Sequence, residues 1–350
     1  MQFRFPIAAL LVVLPFFPVA GHAQLAPSPD APPPASTAPA QPESDESMLT
    51  LKVNVNLVDV FFTVKDKGNE LVPHLTRNDC TVYEDKQPQI LKNFVAETDL
   101  PITLGILLDT SGSQYRVLPL EQDAGSQFLE QVLRKKDEAF LISFDVDVDL
   151  LQDFTNSPRT LARAMQKAEI NTAGGNGAAG IPGAGGGTVP VYGSPKGTLL
   201  YDAVVLASNQ KMTQETGRKA MILLTDGEDE GSDHKIGEAI AAAQRSNVMV
   251  YVILIADRGF YGGFGYSGYS AMKRLTDETG GRLIDVGNNG KKLEAAFQQI
   301  EDELRTQYVA TYTPTNTKLD GSFRRLEVSC KGDGLKVQAR RGYFAQAPQQ

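Results

Sequence analysis

Between Pro101 and about Gln307 the chain alternates continuous apolar runs with amphipathic segments, and that alternation leaves few folds open. Residues 102–108, 139–144, 220–225, 248–255 and 282–286 read as strands, mostly apolar on both faces. Residues 118–134, 158–168, 199–212, 235–246, 270–279 and 290–305 carry apolar positions at helical spacing. Strands apolar on both faces must be covered on both, so an α/β, doubly wound, mostly parallel sheet is expected. Residues 146–151 alternate with Asp and read as a short antiparallel edge strand. Folds of this kind hold ligands beyond the carboxyl ends of their strands. Chemistry is expected there.

The first strand stops at an acid, and two hydroxyls follow at alternate positions, in Leu108-Asp109-Thr110-Ser111-Gly112-Ser113. Asp226 ends another apolar strand in Thr225-Asp226-Gly227, and Thr198 opens a helix-like segment. Thr188 is a rival for Thr198, but Val189-Pro190 after it cannot start a helix, and a metal-facing Thr must be held rigidly. These side chains are hard oxygen donors. Mg²⁺ takes about six oxygens near ~2.1 Å and usually keeps waters or borrows a ligand from its partner. No single loop supplies enough of them, but one sheet edge gathering all three would.

The set resembles the metal-ion-dependent adhesion site (MIDAS) of von Willebrand factor A (VWA) domains: D-x-S-x-S, a distant Thr and a T-D-G acid. That resemblance implies a Rossmann-like fold with Mg²⁺ or Mn²⁺ held at Asp109, Ser111, Ser113, Thr198 and Asp226. It further implies that the serines and threonine contact the metal and that the acids bind directly or through water. One position stays open for a partner's carboxylate. D-T-S-G-S alone is a weak signal, since Ser and Gly favour turns; the full ordered set is specific.

Outside this segment the pattern changes. Leu51, Val53, Val55 and Leu57 alternate with polar residues, then the phase shifts to Val58, Val60, Phe62 and Val64, which suggests a bulge. Residues 80–83, 308–312, 326–330 and 335–339 read as short strands, with turn residues at Asp66-Lys67-Gly68-Asn69, Glu84-Asp85-Lys86-Gln87-Pro88, Asp320-Gly321 and Gly332-Asp333-Gly334. Neither flank is large enough for its own core. Residues 48–100 and 308–346 are therefore expected to join in one small β-sandwich, with the VWA segment, 101–307, inserted between them. The arrangement resembles the exported bacterial "VWFA-related" proteins of the acidobacterial type, through Val82-Tyr83-Glu84-Asp85 and Arg340-Arg341-Gly342-Tyr343-Phe344. Cys80 shares a strand face with Val82, and Cys330 shares one with Leu326 and Val328. They form either a disulfide joining the flanks or two small buried hydrophobes.

Residues 1–23 read as a secretory signal, with Arg4, an apolar run over 6–20 and small residues in Gly21-His22-Ala23. The run is shorter than the ~20 residues of a membrane span. No later segment is apolar for long enough either, so no transmembrane segment is expected after cleavage. The mature chain is expected to be exported, to the periplasm, cell surface or medium. Residues 24–47, rich in Pro, Ala and Ser, read as an extended tether. A net charge of −8 argues against a nucleic-acid partner, which needs basic patches. Three His and two Cys in all disfavour zinc chemistry.

Gly263-Phe264-Gly265-Tyr266-Ser267-Gly268 matches a dinucleotide fingerprint, but residues 257–262 separate it from its strand and destroy the tight turn. Phe260, Tyr261, Phe264, Tyr266 and Tyr269 make this either a mobile glycine-rich loop or an aromatic wall that touches a partner beside the metal. The acids at 226–233 lack EF-hand spacing, and 228–233 read as a solvated cap for the helix that follows. No G-x-S-x-G elbow exists, and no His accompanies a Cys or a motif Ser, so no catalytic residue is assigned and no enzymatic activity is expected. The reading is a metal-dependent protein-binding or adhesion module whose partner, a protein or surface polymer, presents a carboxylate. The alternatives are an exported metal-assisted hydrolase, which lacks a positioned base, and a structural scaffold with an unused site.

Overall fold

Alternation at Val58, Val60, Phe62 and Val64 buries one face of β1 (Val58–Lys65). The computed structural model describes residues 57–97, 100–170, 197–255 and 268–345; the expected leader, tether and bulge before residue 57 lie outside them. The N-terminal flank continues as β2 (Cys80–Glu84), β3 (Gln87–Pro88) and β4 (Leu91–Glu97). The inserted unit starts with β5 (Ile102–Asp109), α1 (Leu118–Val132), β6 (Glu138–Phe144), β7 (Val148–Thr155) and α2 (Pro158–Met165). It goes on through α3 (Leu200–Leu206), β8 (Arg218–Thr225), α4 (Ile236–Arg245) and β9 (Val248–Leu254). It closes with α5 (Gly268–Thr279), β10 (Leu283–Asp285) and α6 (Gly290–Arg305). The C-terminal flank supplies β11 (Gln307–Tyr312), β12 (Phe323–Cys330), β13 (Lys336–Ala339) and β14 (Gly342–Phe344).

The inserted sheet has the order β10-β9-β8-β5-β6-β7. All its neighbours are parallel except the edge strand β7. Every residue of β5, β8 and β9 is buried. Alternate residues of β5 explain how: Leu104, Ile106 and Leu108 pack with α1, α2 and α6, whereas Leu107 packs toward α3, α4 and α5. Each such Leu or Ile contributes about 1.5–3 kcal/mol of burial. This is the doubly wound fold expected. Its strand order reverses between β5 and β8, which places a crevice at their carboxyl ends.

The flanks form two four-stranded sheets, β13-β1-β11-β4 and β14-β12-β2-β3. Phe62, Tyr308 and Tyr312 from one and Val82, Leu326 and Tyr343 from the other share a core, as a β-sandwich requires. Cys80 and Cys330 are cross-strand partners in the β2–β12 pair and are joined by a disulfide. Both chain crossings between sandwich and insert are clamped by one side chain: the buried Arg218 guanidinium donates to the carbonyls of Leu100 and Leu304. Glu303 completes the seam, accepting from Lys65 at 2.9 Å and Arg282 at 2.6 Å while wholly buried. Removing one member of such a buried pair costs about 3–5 kcal/mol.

Three elements depart from the expectation. The helix over 199–212 is regular only to Leu206 and continues as a π-helical turn, where the Thr213 hydroxyl donates to the Ser208 carbonyl. The edge strand runs over 148–155 because Asp145–Asp147 form the hairpin turn, the Asp145 side chain accepting from Asp147 N. β4 was not expected: Lys92, Asn93 and Val95 are exposed, and its register against β11 shifts at Thr311/Tyr312, so its alternation is broken.

Candidate metal centre

β5 runs apolar to Leu108 and then delivers Asp109, fully buried, at the sheet's carboxyl edge. Its Oδ1 accepts from Ser111 N at 3.0 Å, which folds the loop back on itself. Its Oδ2 accepts from the Thr225 hydroxyl at 2.6 Å, which ties the loop to the end of β8. Ser111 and Ser113 stand side by side, their hydroxyl oxygens 3.0 Å apart. One residue beyond Thr225, the nearly buried Asp226 accepts from Glu228 N at 3.1 Å. Asp226 lies close enough to Asp109 for their charges to interact. Four of the five expected donors therefore gather at the β5–β8 edge.

Thr198 is brought to the same edge by backbone. Glu230 N donates to the Thr198 carbonyl at 3.0 Å, which binds it to the Asp226 loop. Gly197 beside it donates its N–H to the same Glu230, at the carbonyl, at 2.6 Å. Leu199 N donates to the Asp145 carbonyl, and the Asp145 carboxylate accepts from the Thr110 hydroxyl at 2.6 Å. Asp145 thereby links the Thr198 segment to the Asp109 loop. Among the described residues the Thr198 hydroxyl makes no hydrogen bond to the other four donors.

The acids at 228–233 act differently from a cap on the helix after them. Glu228 accepts from Gly268 N, the first residue of α5, and Asp229 accepts from Tyr201 N in the first turn of α3. α4 is closed instead by its own Glu238, which accepts from Lys235 N. The run pins two neighbouring helices around Asp226, because both helix starts converge on this crevice.

Two residues belong here that spacing did not reveal. Glu121, in the first turn of α1, is fully buried, and neither of its carboxylate oxygens has a hydrogen-bond partner among the described residues. Gln114 is fully buried in the turn after Ser113, and its Oε1 is also unpartnered. Burial first, and then the charges of Asp109 and Asp226, hold the Glu121 carboxyl well above its ordinary range. Burial and the Asp226 charge likewise push Asp109 up to about 7, against hydrogen bonds from Ser111 and Thr225. Asp109 receives only neutral donors. Buried carboxylates without a cation are costly, and a dication at this edge would offset that cost. Among the described residues no three His, Cys, Asp or Glu side chains converge as a ready cage. Hydroxyls must supply much of the coordination, which the Ser111–Ser113 pair is placed to do.

The strand order, the reversal point between β5 and β8, and a D-x-S-x-S loop facing a T-D-G loop across it settle the type of fold. The insert has a von Willebrand factor A-like fold. No family model and no curated protein matches the chain. Among solved structures it is similar to the conserved hypothetical protein BatB from Bacteroides thetaiotaomicron (18% identity, TM-score 0.42), over 58% of this chain and 99% of that one. A von Willebrand factor type A protein from Catenulispora acidiphila (11%, TM-score 0.44) covers 83% of this chain and 74% of its own. Proximal thread matrix protein 1 of the mussel byssus, with zinc in its MIDAS motif, matches at 13% identity and TM-score 0.45. That match covers 63% of this chain and about half, 50%, of the mussel protein.

The expected aromatic wall is mostly beyond reach: Phe260, Tyr261, Phe264 and Tyr266 lie outside the described residues. Tyr269 is described and 45% exposed. It follows Gly268, whose backbone abuts the Asp226–Gly227 turn so closely that a Cβ would sit 2.7 Å from the Asp226 carbonyl. Tyr115, two residues after Ser113, is 70% exposed and is a second exposed aromatic ring close in sequence to these donors.

Proposed function

We propose that this chain is an exported, metal-dependent binding module of the adhesion type. Mg²⁺ or Mn²⁺ would be held by Ser111, Ser113 and Thr198, with Asp109 and Asp226 binding directly or through water. A carboxylate of the partner, a protein or surface polymer, completes the coordination. The metal supplies the positive field that selects this acidic group; the protein's residues hold the donors in place and keep the rear of the site dry. The observation that carries the reading is the buried pair of Asp109 and Glu121, with no basic partner among the described residues, beside paired serine hydroxyls. Tyr115 and Tyr269 supply exposed aromatic contact at the rim, a residue type favoured at interfaces.

Binding is favoured over hydrolysis because the carboxylates at the centre are taken up by the metal in this reading and no His among the described residues stands beside them. Among the described residues His234 is occupied by Asp202 at 2.7 Å, and His74 sits in the sandwich flank. Export rests on the leader-like residues 1–23; among the described residues no helix is long and apolar enough to cross a membrane. The test is capture of partners by the mature protein in Mg²⁺ and in chelator. Partners retained in Mg²⁺ and released both by chelator and by Ser113→Ala support the proposal. Capture indifferent to chelator refutes it.

A further inference from the structure

At the opposite pole from the metal centre, a cleft of about 280 Å³ opens where the sandwich meets the VWA domain. It lies at the start of β10, the amino end of a parallel strand, and is walled by α5 on one side and β13 on the other. Its charge is the reverse of the protein's. Lys65, Lys273, Arg282, Lys336 and Arg341 line it, against the single carboxylate of Asp277, in a chain whose net charge is −8.

Three of these cations already have a carboxylate partner, two of them sharing one. Lys65 and Arg282 share the buried Glu303, and Lys273 pairs with Asp277 one turn along α5. Lys336 and Arg341 have no ion pair among the described residues, and both are exposed. The register sharpens the point: Lys65 and Lys336 are direct cross-strand partners in the β1–β13 pair, so both side chains leave the sheet on the same face. Like charges set directly opposite each other destabilise a strand pair. Of this opposed pair, Glu303 reaches Lys65 and not Lys336. An anion seated between them would relieve Lys336 and Arg341 as well.

We propose that this cleft is a binding site for a tetrahedral dianion, a phosphate or sulfate group, held chiefly by Arg341 and Lys336. An Arg fork matches such oxyanions in a bidentate way, and a Lys adds a point charge. The cleft is smaller than sites that enclose drug-sized ligands, which suits a compact charged group or the end group of a larger molecule.

The experiment is calorimetric titration and thermal melting of the mature protein with inorganic phosphate and, separately, inorganic sulfate. Ionic strength is held constant with chloride, and chelator keeps the metal centre out of the measurement. Saturable binding with a rise in Tm is expected, since a ligand that binds only the folded state stabilises it. The charge-reversal variant Lys336→Glu/Arg341→Glu, altered at two exposed positions, should keep its fold by circular dichroism and bind at least ~10-fold more weakly. Response to one anion and not the other identifies the source of the group and supports the site. No saturable binding to the wild type, or equal binding to the variant, overturns the proposal.

Discussion

Replacing Glu121 by Gln should stabilise the metal-free protein and blunt its response to metal, two effects of opposite sign from one substitution. The carboxyl is fully buried with both oxygens unpartnered, and the charges of Asp109 and Asp226 add to the burial that raises its pKa above the ordinary 4.5. Since the folded pKa lies above the unfolded one, the folded state keeps a proton that the unfolded chain releases. The penalty is absent below pH 4.5 and grows as pH rises. Each pH unit between the unfolded value of 4.5 and the working pH, for as long as the folded carboxyl keeps its proton, costs about 1.36 kcal/mol. Gln removes that cost without changing the side chain's shape, so Tm in chelator should rise at pH 7, by at most about 2–4 °C for each kcal/mol relieved, and hardly at all near pH 4.5. In Mg²⁺ the wild type should gain more than the variant, because a dication stabilises the ionised Glu121 and does nothing comparable for an amide. Differential scanning fluorimetry at both pH values, with and without Mg²⁺, reads all four quantities. A variant less stable than wild type in chelator, or one whose gain is the same at both pH values, would refute the reasoning.

Divalent affinity should fall as pH drops below about 7, because Asp109 titrates there and its proton competes with the metal; Mg²⁺ titrations at pH 5.5, 6.5 and 7.5 check it. Ser113→Ala and Thr198→Ala should each weaken Mg²⁺ binding at least ~10-fold while leaving Tm in chelator near wild type. Loss of the Cys80–Cys330 bridge in Cys80→Ala/Cys330→Ala should cost on the order of 4 kcal/mol, since it closes a separation of 250 residues, and denaturant melts of the two proteins measure it.

The centre of the fold was legible because its strands have no polar face. A run such as 102–108 can only be a strand covered on both sides, and the structure covers it on both. α6 was legible to the residue because Asn289 caps it, its side chain accepting from Lys292 N. The oxygen donors that gather at the β5–β8 edge were legible as a set because their types and order report oxygen chemistry. What spacing cannot carry is burial. A Glu in the first turn of an amphipathic helix reads as a solvated partner of the helix dipole, and nothing local distinguishes Glu121 from such a residue. Asp145 is similar: its bond to Thr110 and its link to Leu199 exist only because β5, β6 and α3 meet at one edge. The acids at 228–233 were assigned to the nearest helix in sequence, whereas the helices they cap are the nearest in space.

The central claim is that a divalent cation is held at the β5–β8 edge, and isothermal titration of chelator-treated mature protein with Mg²⁺ and Mn²⁺ tests it most directly. Single-site saturable binding in the wild type, lost in Asp109→Ala and in Asp226→Ala, is the predicted result. No saturable binding in the wild type, or binding that persists undiminished in Asp109→Ala, would contradict it.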